Sequence, residues 1–381
     1  ATLSEWDTSG RHLVICDLQK FEKYISSGLG HRLSWNNVLY SLKKIYNPET
    51  DFGNMAMKDV VVSALVATDL FFGLVYMLLH RSFPSKLNVT VSEMNATHAH
   101  ILSRLTRAAD TLKQKLIDVS IKEKTSELDR AVSFLDSFFV TEDSGRVKWV
   151  TVDEHNLAFS DQPIDISSET QKALRNYKSV KIVDSLISRS LLFYLVDRLG
   201  FGTEISEISI VFDNRQMEVQ LDNDKITHDR LLSELQSVQL PAVVVFPELP
   251  LVKDFYNYSY QKIKEKSALF AQGYSGGGNK MFRNFSIKPN SILMVTPEFF
   301  SKQNYSISAK TVIFTDQPKV DSAHPYTQAV LKLWDERHPD LVDTMKEAKI
   351  FSVIKKINFP QKLVIKLFGT DKNIFSVDNS R

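Results

Sequence analysis

A chain of 381 residues that is 43% hydrophobic and 24% charged is too apolar to stay disordered and longer than one hydrophobic core usually serves, so it calls for two or three domains. A net charge of +2 excludes attraction to nucleic acid through overall basicity and leaves that task to local clusters. The single cysteine, Cys16, excludes an internal disulfide and a cysteine-based zinc cluster.

Residues 1–140 read as a helical bundle. Residues 1–7 carry Glu5 and Asp7 and lack the basic start and apolar run of a secretory signal, which points to a reducing compartment, cytoplasmic or nuclear. Residues 13–16 are strand-like, and a buried, inert Cys16 is expected at their end. A helix over 17–27 stops at Gly28 and Gly30, and Ser34 caps another that ends before Asn47-Pro48. Residues 60–79 are apolar for the length of a bilayer crossing. Asp69 at their centre would cost about 2.5–3.5 kcal/mol to insert, so the expectation is a buried core helix and no stable membrane insertion. Ser92 is placed to cap a long helix whose Leu102, Leu105, Ala109, Leu112, Leu116 and Val119 form a narrow apolar seam, resumed by Leu128, Ala131, Leu135 and Phe138. An antiparallel bundle satisfies both stretches.

Residues 141–240 read as an α+β middle region. Thr141-Glu142-Asp143-Ser144-Gly145 is turn chemistry ahead of a strand over 146–152. Ile182, Val183, Leu186, Ile187, Leu191 and Leu195 trace an amphipathic face. Residues 208–212 and 216–221 around Asp213-Asn214 suggest a β-hairpin, followed by a helix near 228–237.

Residues 241–381 read as an α/β domain with a mixed or mainly parallel sheet. Residues 242–246, 292–295, 312–314 and 363–368 are short, continuous apolar runs of the kind buried on both faces of a sheet. Helical patterns over 252–270, from Pro325 to about 336, and over 341–357 separate them. The expected fold class is therefore multidomain α and α/β.

Three acids follow such runs. Glu248, Glu298 and Asp316 each lie just past a strand, where open α/β sheets bind ligands and where an acid also caps a following helix. No metal or cofactor is assigned, because no two of the nine histidines are four apart and only one cysteine exists.

The most distinctive segment is 266–297, which lacks any acidic side chain and contains Gly273-Tyr274-Ser275-Gly276-Gly277-Gly278. Glycines let the backbone approach an anion closely, and the run misses the P-loop spacing by one residue. Lys280, Arg283 and Lys288 alternate with Tyr274, Phe282 and Phe285, a mixture suited to phosphate attraction and base stacking. Gly273-Tyr274-Ser275-Gly276-Gly277 also satisfies G-x-S-x-G and resembles the nucleophile elbow of α/β-hydrolases. That resemblance implies Ser275 as nucleophile, Asp316 as orienting acid, and His324 or His338 as base. Against it, residues 266–272 read as the end of a helix rather than as the strand an elbow needs.

The expectation is an intracellular interaction or assembly protein, a viral structural or replication-associated protein or a subunit of a cellular complex. Its partners are a protein or further copies of itself, with single-stranded RNA as the candidate nucleic acid. The serine hydrolase is the alternative.

Overall fold

The structure, a computed structural model, describes residues 12–370 apart from 46–54, 124, 140–144, 154–155, 176, 178, 185, 202–204, 210–215, 304 and 359–361. Residues 1–7, Asn47-Pro48, the turn at 141–144 and Asp213-Asn214 lie outside the described residues. In chain order the elements are β1 (His12–Ile15), α1 (Leu18–Leu29), β2 (His31–Ser34), α2 (Trp35–Ile45), α3 (Met55–Ser82), β3 (Asn88–Thr90), α4 (Val91–Lys122), α5 (Ser126–Phe138), β4 (Arg146–Asp153) and β5 (Asn156–Pro163). There follow α6 (Ser167–Leu174), β6 (Ser179–Val183), α7 (Arg189–Arg198), β7 (Ile205–Ser209), β8 (Gln216–Asp222), α8 (His228–Ser237), β9 (Ala242–Val245), α9 (Leu249–Ile263) and β10 (Ala268–Ala271). The chain ends with α10 (Gly278–Ser286), β11 (Ser291–Val295), α11 (Pro297–Lys302), β12 (Ile307–Ser308), β13 (Thr311–Phe314), α12 (Pro325–Trp334), α13 (Leu341–Ile354), β14 (Ile357–Asn358) and β15 (Lys362–Phe368).

These elements pack as two compact units. The helical unit comprises Lys23–Ser168 with Asp321–Trp334, and the α/β unit comprises Ala1–Glu22, Glu169–Val320 and Asp335–Arg381. The division differs from the three segments expected at 1–140, 141–240 and 241–381, because strands choose partners far away in sequence. β1 belongs to the α/β unit, where it pairs in parallel with β6. The anticipated hairpin does not form: β7 pairs with β6 and β8 pairs with β15, both in parallel.

In the helical unit, α2, α3, α4 and α5 bury the expected seam. Leu105, Leu112, Leu116 and Val119 of α4 are 0% exposed, with Leu128, Leu135 and Phe138 of α5 against them in one core. Thr90, rather than Ser92, caps α4: its hydroxyl accepts the Glu93 N–H while the Glu93 carboxylate accepts the Thr90 N–H, a reciprocal box that satisfies two helix-end donors. Burial pushes the Glu93 carboxyl up, but hydrogen bonds from Lys86 and Thr90 outweigh it and hold the group below the ordinary carboxylate range. A kink at His98 (φ −148°, ψ 62°) brings its ring within 5.8 Å of His100, where a straight helix would send the two rings to different sides.

Helix α3 is only partly a core helix. Val61, Ala64, Phe71, Phe72, Val75 and Leu79 are buried, whereas Val62, Val66, Leu70 and Met77 are exposed, Leu70 by 68%. The expectation of a buried core helix over 60–79 therefore holds only in part, since α2 and α4 pack on α3 without covering that stripe. Residues 57–82 are long and apolar enough to cross a bilayer, by length and composition only.

An antiparallel sheet in the order β2-β5-β4-β3 completes this unit. Its register puts Leu33, Phe159, Val150 and Val89 side by side on the face buried in the helical core. The alternate positions, Arg32, Ser160, Trp149 and Thr90, form a row on the other face.

The α/β unit is built on a six-stranded parallel sheet in the order β10-β11-β9-β13-β15-β8. β9, β11 and β13 are buried along their whole length, as unbroken apolar runs predict for strands covered on both faces. Two further groups of parallel strands, β1-β6-β7 and β12-β14, belong to the same unit. Lys355, buried at its side chain, bonds both Asp17 at 3.0 Å and the almost fully buried Asp184 at 2.9 Å, and Asp184 also accepts the Leu18 N–H. Full pairing of this kind is what lets charges stay inside a fold. Cys16, expected to be buried, is exposed, because β1 ends one residue before it.

Candidate nucleic-acid interface

The carboxyl edge of the parallel sheet brings together the three strand-end acids and the glycine-rich turn. From β9 the chain leaves toward β10 and β11, and from β13 it leaves toward β15 on the other side. The edge between β9 and β13 is therefore a topological switch point, the position where open α/β sheets form a binding crevice. Glu248 follows β9, Glu298 follows β11 and Asp316 follows β13, so the three acids do stand at the ends of neighbouring strands. Each is matched by a lysine. Lys319 bonds Glu248 at 2.7 Å, Lys225 lies 3.3 Å from Asp316, and Lys349 bonds both Glu298 and the Lys319 carbonyl. Among the described residues no cluster of histidine, cysteine and carboxylate groups is placed to hold a metal.

The glycine-rich segment joins β10 to α10. Residues 266–272 contain the edge strand β10, buried at Phe270 and Ala271, contrary to the helix end expected there. Tyr274 and Ser275 both donate their backbone N–H to the Ala271 carbonyl at 3.0 Å, and Gly273 (φ +88°) and Gly276 (φ +86°) supply the left-handed backbone that closes so tight a turn. Gly277 then caps α10 without a side-chain oxygen, and the first turn of the helix contains no acid. The helix start thus directs backbone donors and the positive end of its dipole at the loop.

The G-x-S-x-G residues accordingly occupy a strand-to-helix turn, but Ser275 uses its hydroxyl within the turn, accepting the Ala271 N–H at 3.0 Å. His338 is bonded to Asp197 at 2.9 Å and packs edge-on to Tyr194. His324 belongs to the helical unit, where its ring meets Trp149. No bond joins Ser275, Asp316 and either histidine among the described residues.

Of the three aromatic residues assigned to contact, two are core. Phe282 and Phe285 are each 1% exposed: Phe282 packs on Phe299 and Phe300, and Phe285 meets Phe270 edge-on. Their role as base-stacking residues is corrected, because α10 is amphipathic and these positions form its sheet-facing stripe. Lys280 and Arg283 stand exposed on the outer face of the same helix, and Lys288, past its C-terminus, lies over the Phe270 ring. The cations are strung along the helix rather than focused on one point.

Tyr274 is 45% exposed and stacks on Tyr256 of α9 with ring centroids 4.5 Å apart. Tyr256 in turn lies 5.3 Å from Tyr260, itself 39% exposed. Burial, then the neighbouring Tyr260 and Tyr274 phenols, push the Tyr256 hydroxyl upward. Lys264 approaches the Tyr260 ring at 5.7 Å, and the Lys253 side chain lies beside Gly273. Sequence reasoning missed Tyr256, Tyr260 and Lys253. The Tyr256-Asn257-Tyr258-Ser259-Tyr260 run with lysines after it was the available signal, since residues four apart share one helix face.

No protein family matches this chain, and no curated protein is similar to it at a significant level.

Proposed function

We propose that the protein is an interaction protein whose α/β unit binds single-stranded RNA along the Tyr274–Tyr256–Tyr260 ladder and the outer face of α10. The ladder is the observation that carries the reading. The exposed Tyr274 and Tyr260 rings, linked through the half-buried Tyr256, can accept bases of any sequence at about 1–3 kcal/mol per base. Lys253, Lys264, Lys280 and Arg283 supply phosphate attraction around them, and the acid-free segment avoids repulsion. A basic strip that extends along a helix suits a polyanion better than a lone phosphate.

Fluorescence anisotropy with a labelled oligouridylate across a salt series tests this. Removing both Tyr256 and Tyr274 by alanine substitution weakens binding while leaving the salt slope unchanged. Lys280→Ala with Arg283→Ala flattens the slope by about 0.7 per lost phosphate contact. Parental binding by both double variants overturns the RNA reading. Stoichiometric labelling of Ser275 by a fluorophosphonate would replace it with the hydrolase.

A further inference from the structure

A second site lies wholly within the helical unit. The polar face of the β2-β5-β4-β3 sheet and the Asp321–His324 segment ahead of α12 line an open cavity of about 530 Å³, within the range that receives small molecules. Its floor is Trp149, 4% exposed, whose indole meets the His324 ring edge-on at 5.1 Å. The register sets Ser160 between Trp149 and Arg32, with Gln162 two residues further along β5 on the same face.

Three of these polar groups are left without protein partners. Ser160 is 6% exposed, and among the described residues neither its hydroxyl, the Arg32 guanidinium nor the Gln162 amide makes a hydrogen bond or ion pair. Of the three only Ser160 is nearly buried, Arg32 being exposed and Gln162 half-buried; buried polar groups ordinarily find a partner, so the Ser160 hydroxyl, lining one cavity with a guanidinium and an amide, marks a place where a ligand can bind. His324 adds a donor of fixed direction: its Nδ1 accepts the Tyr326 N–H at 3.2 Å, which leaves the ring proton on Nε2. Burial holds its pKa below the ordinary histidine value, against the opposing pull of Asp321. One carboxylate stands among these groups, for Asp321 satisfies the Ala323 N–H through Oδ1 at 3.1 Å and keeps Oδ2 for another group.

We infer that this cavity is a binding site for a small hydroxylated organic anion, whose oxyanion is held by Arg32, Ser160 and Gln162 and whose hydroxyl donates to Asp321. An excess of donors selects the anion, and the lone carboxylate rejects a bare one. Carboxylate and phosphate share this chemistry. Its lining residues all belong to the helical unit, and none is shared with the RNA interface.

Isothermal titration of the full chain with glycerol 3-phosphate, malate, inorganic phosphate and glycerol tests the proposal. At least one of the two hydroxylated anions binds about tenfold or more tightly than phosphate or glycerol alone, and the better of the two identifies the oxyanion. Arg32→Ala weakens that binding by about tenfold or more, the effect of one charged hydrogen bond. Asp321→Asn removes the preference for the hydroxylated anion over phosphate. Where Arg32→Ala does not fold, Gln162→Leu takes its place with the same expectation. No heat from any probe, or undiminished binding by the variants, overturns the assignment; phosphate binding that survives Arg32→Ala means an adventitious ion only.

Discussion

The indole N–H of Trp35 donates to the carboxylate of Asp69 at 2.9 Å. That bond, with the Trp35 ring stacked 5.8 Å from Phe72, ties α2 to the middle of α3 and gives the one acid in an apolar helix its partner. The same helix presents Val62, Val66, Leu70 and Met77 to the surface, so Asp69 also interrupts an apolar stripe. Asp69→Ala should lower unfolding free energy by about 1 kcal/mol in urea titration. Asp69→Leu should extend the stripe and move the protein into the detergent phase of a Triton X-114 separation, where the parent stays in the aqueous phase. A parent found in the detergent phase would instead identify α3 as a membrane span.

Acid should weaken the helical unit through His324. Its folded-state pKa lies below the ordinary value because the ring is half-buried, edge-on to Trp149. Below about pH 6.5 the unfolded chain therefore binds more protons at this residue than the folded chain does. Stability from this group is complete above that value and is lost as pH falls through the folded pKa. Thermal unfolding measured from pH 7.5 to 5 should show the parent losing stability on acidification more steeply than His324→Gln. Equal slopes would mean that the ring titrates as it does in the unfolded chain.

What the sequence revealed, and what it concealed, follows from how far apart the deciding contacts lie. The α4 seam from Leu105 to Val119 and the buried runs of β9, β11 and β13 could be read directly, because each is periodicity within one element. β10 could not: Lys264-Glu265-Lys266-Ser267 contains neither glycine nor proline, so Ala268–Ala271 reads as the tail of α9 until Ala268 is seen opposite Ser291 of β11. The turn-forming residues between β7 and β8 signalled a hairpin, yet Gln216 pairs with Lys362, a choice no local pattern encodes. At the candidate interface the glycine turn and the cations were legible. The inward side of Phe282 and the Tyr274–Tyr256 stack were not, since both depend on which face of a helix meets the sheet.

Two adjacent glycines in that turn should respond differently to alanine. Gly276 has φ +86°, where a Cβ costs about 1–2 kcal/mol. Gly277 has φ −66° and ψ 153°, and a Cβ there meets nothing within 4 Å. Gly276→Ala should lower the melting temperature and weaken RNA binding, whereas Gly277→Ala should leave stability within about 0.5 kcal/mol of the parent. Identical melting curves for the two would mean that the turn relaxes out of the left-handed conformation.

The aromatic residues of the acid-free segment divide into framework and contact, and stability against binding separates them. Phe282 is 1% exposed between the sheet and α11, in contact with Phe300 5.3 Å away, so Phe282→Ala should cost about 3–5 kcal/mol. Phe282→Leu, which fills most of the space, should recover much of that loss. Tyr274 is 45% exposed and rests on Tyr256 by one face, so Tyr274→Ala should cost no more than about 1.5 kcal/mol, the scale of one aromatic pair. The order reverses in RNA binding: at a temperature where both variants are folded, Tyr274→Ala should lose affinity by the worth of a stacked base, while Phe282→Leu should bind as the parent does. If Phe282→Leu is fully folded and loses as much affinity as Tyr274→Ala, the ladder is not the contact surface, and the buried stripe of α10 must become exposed for binding.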